Sequence, residues 1–186
     1  YDEVQAYGSY EPLPAGNYMC IILKVEETQS KKMKPMLNIY LDIARGEYKG
    51  FYTEEYRNDR RDDKKWGCIV YQLTLDNDGK CSRGLKTFIS AVAASNPGFD
   101  EMQIWGDHFA QCFKDKMVGG RFRREQYENR NGELRWSTKC AGFCSVDDLE
   151  EMPIMEDKPY EPRQTPEYFT ERAAEEYANA PLPWEQ

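Results

Sequence analysis

The chain has 186 residues, 40% hydrophobic and 31% charged, with a formal net charge of −8. That is apolar material for one real core with extensions, or two small domains at most, and no apolar run approaches the roughly 20 residues that a membrane span needs. Six cysteines include no CxxC pair, and the one histidine, His108, has no cysteine within three residues, so a metal site is not expected and the thiols read as reduced and mostly buried.

The opening YDEVQAYGSYEPLPAG has no basic-then-apolar leader pattern and no initiator Met, so its first residue is expected to lie inside a longer chain. The first predicted strand is YMCIILKV, Tyr18 to Val25, with Met19, Ile21, Leu23 and Val25 on one face and Tyr18, Cys20, Ile22 and Lys24 on the other. A polar loop with Lys31, Lys32 and Lys34 leads into MLNIYLDIA, where Leu37, Ile39, Leu41 and Ile43 alternate with Asn38, Tyr40 and Asp42. Gly46 and Gly50 bracket a turn, and Phe51 to Arg57 is predicted as the third strand. The charged stretch RNDRRDDKKW follows. GCIVYQLTL then fits either a strand or a short helix.

Ser82 is expected to cap a helix over SRGLKTFISAVAASNPG, with Leu85, Phe88, Ile89 and Val92 on its apolar face and Asn96-Pro97-Gly98 ending it. The last body element is a long hairpin, MVGGRFRREQYENRNGELRWSTKCAGF, with Asn131-Gly132 as its turn. A two-residue turn would set Glu128 against Arg135 and Tyr127 against Trp136. Strand, basic loop, strand, third strand, helix and hairpin is the order of a five-stranded oligonucleotide-binding (OB) barrel with one helix between strands 3 and 4. A sandwich with an appended helix would give the same order.

Residues 147–186 hold twelve of the 33 acids and three of the 25 bases, so the first 146 residues carry 21 acids against 22 bases. The same forty residues contain six of the ten prolines. The expected organisation is therefore mainly β: a domain over 1–149, then an acidic, proline-rich and largely disordered tail over 150–186. One short helix fits from Thr165 to Tyr177.

Cations and aromatics interleave in three places: Lys31, Lys32 and Lys34 with Tyr40; Tyr56 and Arg57 with the cations up to Trp66; and Arg121, Arg123, Tyr127, Trp136 and Lys139 on the hairpin. Single-stranded nucleic acid needs both kinds of group, cations for the phosphates and flat side chains for the bases. Core packing and solubility explain any one of these residues more often than binding does, so the weight lies on their co-occurrence. A near-neutral body with local basic faces and an acidic tail would also attract each other, the tail standing in for nucleic acid until it is displaced.

The segment YEPLPAGNYMCIILKVEETQSKKMKPMLNIYLDIARGEYKGFY, the hairpin entry MVGGRFRREQYENRNGE and the closing SVDDL resemble phage-type single-stranded DNA-binding proteins of Gram-positive bacterial phages, over about residues 10–150. The resemblance implies an OB fold, binding of single-stranded DNA without strong sequence preference, and a place in phage or prophage DNA replication and recombination in the bacterial cytoplasm. The tail is similar to bacterial single-strand-binding tails but ends Leu-Pro-Trp-Glu-Gln, which makes Leu182, Pro183 and Trp184 the candidate contacts for replication or recombination proteins. No catalytic residue, cofactor or metal is expected, nor a membrane partner, while a homo-oligomer is left open. The alternatives are a protein-interaction module that does not bind DNA and, on Asp42 with Glu47 and Lys49, a metal-dependent nuclease.

Overall fold

A computed structural model describes residues 11–162. Five strands, β1 (Gly16–Gln29), β2 (Pro35–Ile43), β3 (Ile69–Leu73), β4 (Met117–Glu128) and β5 (Leu134–Cys144), form one antiparallel sheet in the order β3-β2-β1-β4-β5. Helix α1 (Phe51–Asn58) lies between β2 and β3, and α2 (Arg83–Ser95) between β3 and β4. The mainly β reading and the helix before the fourth strand agree with the sequence. The sheet is open: β3 and β5 are its edges, and residues from both line one cleft of about 280 Å³.

The strict alternation expected for the first strand breaks at Leu23. Ile22 pairs with Leu41 but Lys24 pairs with Tyr40, so one residue is bulged out. The buried set is therefore Cys20, Ile22 and Val25, which takes residues from both faces of the strict alternation. With Leu37, Ile39, Leu41 and Ile43 of β2, Val118 and Phe122 of β4 and Leu85, Phe88, Ile89 and Val92 of α2, these residues form one core. Phe88 of α2 meets the rings of Phe113 and Phe143 at 5.0 and 4.9 Å. Gly120 is required where β4 crosses β1, because a Cβ there would come within 2.8 Å of the Cys20 sulfur and 2.7 Å of the Phe122 ring.

The cap of α2 is local and legible: Ser82 Oγ accepts the Leu85 N–H at 3.1 Å. At the other end Asn96 donates to the Val92 and Met117 carbonyls and accepts the Met117 N–H, tying the helix to β4.

The stretch from Phe51 was expected as a strand and is a helix. Its first turn is capped from a distance. The buried carboxylate of Asp42, on β2, accepts the N–H groups of Tyr52 (3.0 Å) and Thr53 (3.1 Å) and the Thr53 hydroxyl. Gly50, at φ 76°, turns the chain into that cap. The third strand is instead Ile69–Leu73, inside the stretch that the sequence left undecided.

The hairpin also departs from expectation, by one residue. Glu128 pairs with Leu134, Tyr127 with Arg135 and Gln126 with Trp136. Asn129 N–H donates to the Glu133 carbonyl (2.9 Å), Gly132 N–H to the Asn129 carbonyl (3.0 Å), and Asn129 Oδ1 accepts from Asn131 and Glu133 N–H. Three residues turn instead of two, with Gly132 at φ 79° taking the left-handed position. Tyr127 and Trp136 therefore lie on opposite faces, not as a pair.

Beyond the hairpin, residues 150–162 lie against the body. Lys158 N–H donates to the Arg124 carbonyl (2.8 Å), and Gln126 N–H donates to the Lys158 carbonyl (2.9 Å), a parallel bridge on the stretch of β4 that β1 does not reach. Asn17 Nδ2 donates to the Leu149 and Met152 carbonyls, and Tyr160 Oη to Glu128. This first third of the expected tail is thus a docked strap. The helix expected over Thr165–Tyr177 and the Leu182–Trp184 tip lie outside the described residues. No helix among the described residues is long and apolar enough to cross a membrane.

Candidate nucleic-acid interface

The outward face of β1–β2–β3 is set by pairing. Thr28, Met36 and Leu73 lie side by side; then Glu26, Asn38 and Tyr71; then Lys24, Tyr40 and Ile69. These side chains alternate with the buried Leu37 and Ile39, so they share the outward face, exposed at Lys24, Thr28, Tyr71 and Leu73 and half-buried at the others. Tyr71 is 63% exposed and Tyr40 half-buried, on adjacent strands. Two rings on neighbouring strands of one face are what a base-stacking platform requires. Tyr71 lay in the undecided stretch; its signal was the period-2 run IVYQL, legible only once that run is a strand.

Tyr40 is held in place. Its hydroxyl donates to Glu26 Oε2 at 2.8 Å, which raises the phenol's pKa, and Lys24 sits over the ring at 5.7 Å. Lys24 also pairs with Glu26, whose carboxyl is held below the usual range by Lys24 and Tyr40 together.

One end of this face leads into the β1–β2 loop. Lys31 and Lys32 are exposed there, while Lys34 turns its ammonium to Asn77 Oδ1 at 2.8 Å. The opposite border is the open seam, where Tyr71 and Lys139 line the same cleft. Tyr40, Tyr71, Lys31, Lys32 and Lys139 are thereby gathered around one surface.

No protein-family model matches the chain, and no curated protein matches it.

The remaining candidates are mostly engaged within the molecule. Tyr56, on α1, packs against Trp66 at 5.7 Å under the ammonium of Lys64 at 4.4 Å, and Trp66 donates to the Leu41 carbonyl at 2.8 Å. Arg57 is exposed in the last turn of that helix. Arg121 donates to the Pro153 carbonyl at 3.0 Å, and Arg123 pairs with Glu125 at 2.9 Å, with Lys139 a further 3.9 Å contact of the same carboxylate. Arg124 lies over the Trp136 ring at 5.3 Å and is claimed by Asp157 of the strap. Tyr127 and Trp136 are 42% and 43% exposed on opposite sides of the arm. Arg123, Arg124 and Lys139 thus face carboxylates of the molecule itself and Arg121 a backbone carbonyl, whereas Lys31 and Lys32 form no ion pair among the described residues. Outside this surface Trp105 stacks on Phe109 at 5.2 Å with its outer face exposed, but Asp100, Glu101 and Asp107 beside it in sequence repel phosphate.

Proposed function

We propose that the chain binds single-stranded DNA on the outward face of β2 and β3, with little sequence preference, and serves phage or prophage DNA replication and recombination in a bacterial cell. The observation that carries this reading is the juxtaposition of Tyr40 and Tyr71 on one sheet face between the Lys31–Lys32 loop and the Lys139 side of the seam. Stacked rings favour unpaired bases, which a duplex does not offer, and the flanking ammonium groups neutralise phosphates at the cost of salt sensitivity. The strand order, with α2 between β3 and β4, supports an OB-type barrel in which β3 and β5 approach across the seam.

A binding role is favoured over a catalytic one by Asp42, whose two oxygens are taken up by the first turn of α1 and are not free for a metal ion. Acidic residues beyond 162 compete with DNA for the basic loop, and Leu182, Pro183 and Trp184 form a handle for replication or recombination proteins. Fluorescence anisotropy with a labelled single strand and its duplex, at two salt concentrations, tests the reading. Tighter binding to the single strand that weakens steeply with salt is expected; equal or tighter duplex binding overturns it. A protein-interaction module would bind neither.

A further inference from the structure

Among the described residues only two non-glycine residues have positive φ, Met33 at 60° and Asp115 at 62°. Aspartate tolerates that conformation; methionine, whose side chain makes no local hydrogen bond to repay it, rarely adopts it. Local sequence economy would put Gly or Asn at position 33. The loop is nevertheless closed around it: Ser30 N–H donates to the Lys34 carbonyl (2.8 Å), Met33 N–H to the Ser30 carbonyl (2.8 Å) and Lys34 N–H to Ser30 Oγ (3.1 Å). Lys34 is anchored further by Asn77. Yet the Met33 side chain is 72% exposed, so core packing does not explain the residue.

Its surroundings name a ligand. Lys31 and Lys32 flank it, exposed, and the strand it leads into carries Met36 and then Tyr40 on the outward face, with Leu73 and Tyr71 beside them on β3. A flexible thioether on a cationic loop, at the end of a stripe of apolar and aromatic side chains, suits a strand whose backbone is anionic and whose bases are flat and apolar on their faces. We propose that Met33 is an apolar wedge that enters the base stack of bound single-stranded DNA at the end of the Tyr40–Tyr71 platform. The lysines beside it hold the phosphates of the separated nucleotides. This rests on the single-stranded DNA reading above and adds a contact to it.

The test compares full-length wild type with Met33→Asn, Met33→Gly and Met33→Leu. Asn and Gly suit the positive φ, so both variants should melt no lower than wild type, and Gly should melt higher. Both should nonetheless bind a fluorescein-labelled oligothymidine roughly five- to tenfold more weakly, with the salt slope unchanged because no cation is lost. Met33→Leu keeps an apolar wedge and should bind within about twofold of wild type. An oligonucleotide carrying 2-aminopurine, whose emission rises on unstacking, should brighten with wild type and Met33→Leu but not with Met33→Asn. Wild-type affinity and brightening in Met33→Asn and Met33→Gly overturn the wedge and leave the platform standing. A wild type that binds no single strand at low salt overturns both together.

Discussion

Glu26 is the residue through which the proposed face is tuned against its own ligand. Its ionised carboxylate holds the Tyr40 hydroxyl and the Lys24 ammonium, which orders the ring but places a negative charge where phosphates would pass. Glu26→Gln keeps an acceptor for the hydroxyl and frees Lys24. Anisotropy at low salt should show single-strand affinity rising by about two- to fivefold, with the gain fading as salt is added. Asp42 is a residue of the opposite kind, structural and out of solvent's reach. Asp42→Ala leaves the Ile43, Tyr52 and Thr53 N–H groups without their acceptor, and urea unfolding should show a loss of about 2–4 kcal/mol. The thiols divide in the same way. Burial pushes Cys140 up to about 12 and Cys20 and Cys68 well above the ordinary thiol range, whereas Cys81 is exposed. Limited alkylation at neutral pH, read by mass spectrometry, should label Cys81 first and leave the buried Cys20 and Cys68 untouched in the folded protein.

Elements were legible where their signals are local. The apolar alternation of β2 and the Ser82 cap with its helical spacing lie within a few residues of what they specify, and both stand as read. The helix at Phe51 was not legible, because its cap is a carboxylate on another strand, eleven residues from the Thr53 that it holds. The face of β1 was not, because a one-residue bulge at Leu23 has no signature in an apolar run. Nor was the hairpin register, since Asn-Gly serves both a two-residue turn and the second half of a three-residue one; the slip separated Tyr127 from Trp136 and dissolved the expected hairpin platform. The strap sits at this scale too. The Arg124 guanidinium holds the Asp157 carboxyl below the usual range, so the folded-state pKa is depressed. The contact is therefore fully present above the ordinary carboxylate value near 4 and is lost as pH falls through the depressed value. Amide exchange at Lys158 and Gln126, compared with that at Ile39 of the core, should accelerate selectively on acidification below about pH 4.

For the whole molecule the question is where the body ends. Asn17, Arg121 and Arg124 all find partners within 149–157, so the strap is part of the body's bonding even though its composition resembles a tail. Two truncations should therefore behave differently. Removing 163–186 takes away Glu167, Glu171, Glu175, Glu176 and Glu185 and should tighten single-strand binding at low salt with no change in melting temperature. Removing 150–186 should also lower the melting temperature by several degrees, because it takes the Met152 carbonyl from the Asn17 amide, the Pro153 carbonyl from Arg121 and the Asp157 carboxylate from Arg124. Equal melting temperatures for the two would make the strap a passive passenger. The strand order has a further consequence, for a chain still being made. β1 pairs on one side with β2, which follows at once, and on the other with β4, so Gly16 waits for Phe122. At roughly 5–20 residues per second, the ribosome takes about 5–20 s to deliver that partner. Meanwhile half a sheet stands with an unsatisfied apolar edge outside the exit tunnel, and slower translation lengthens the interval in which two nascent chains can join along it.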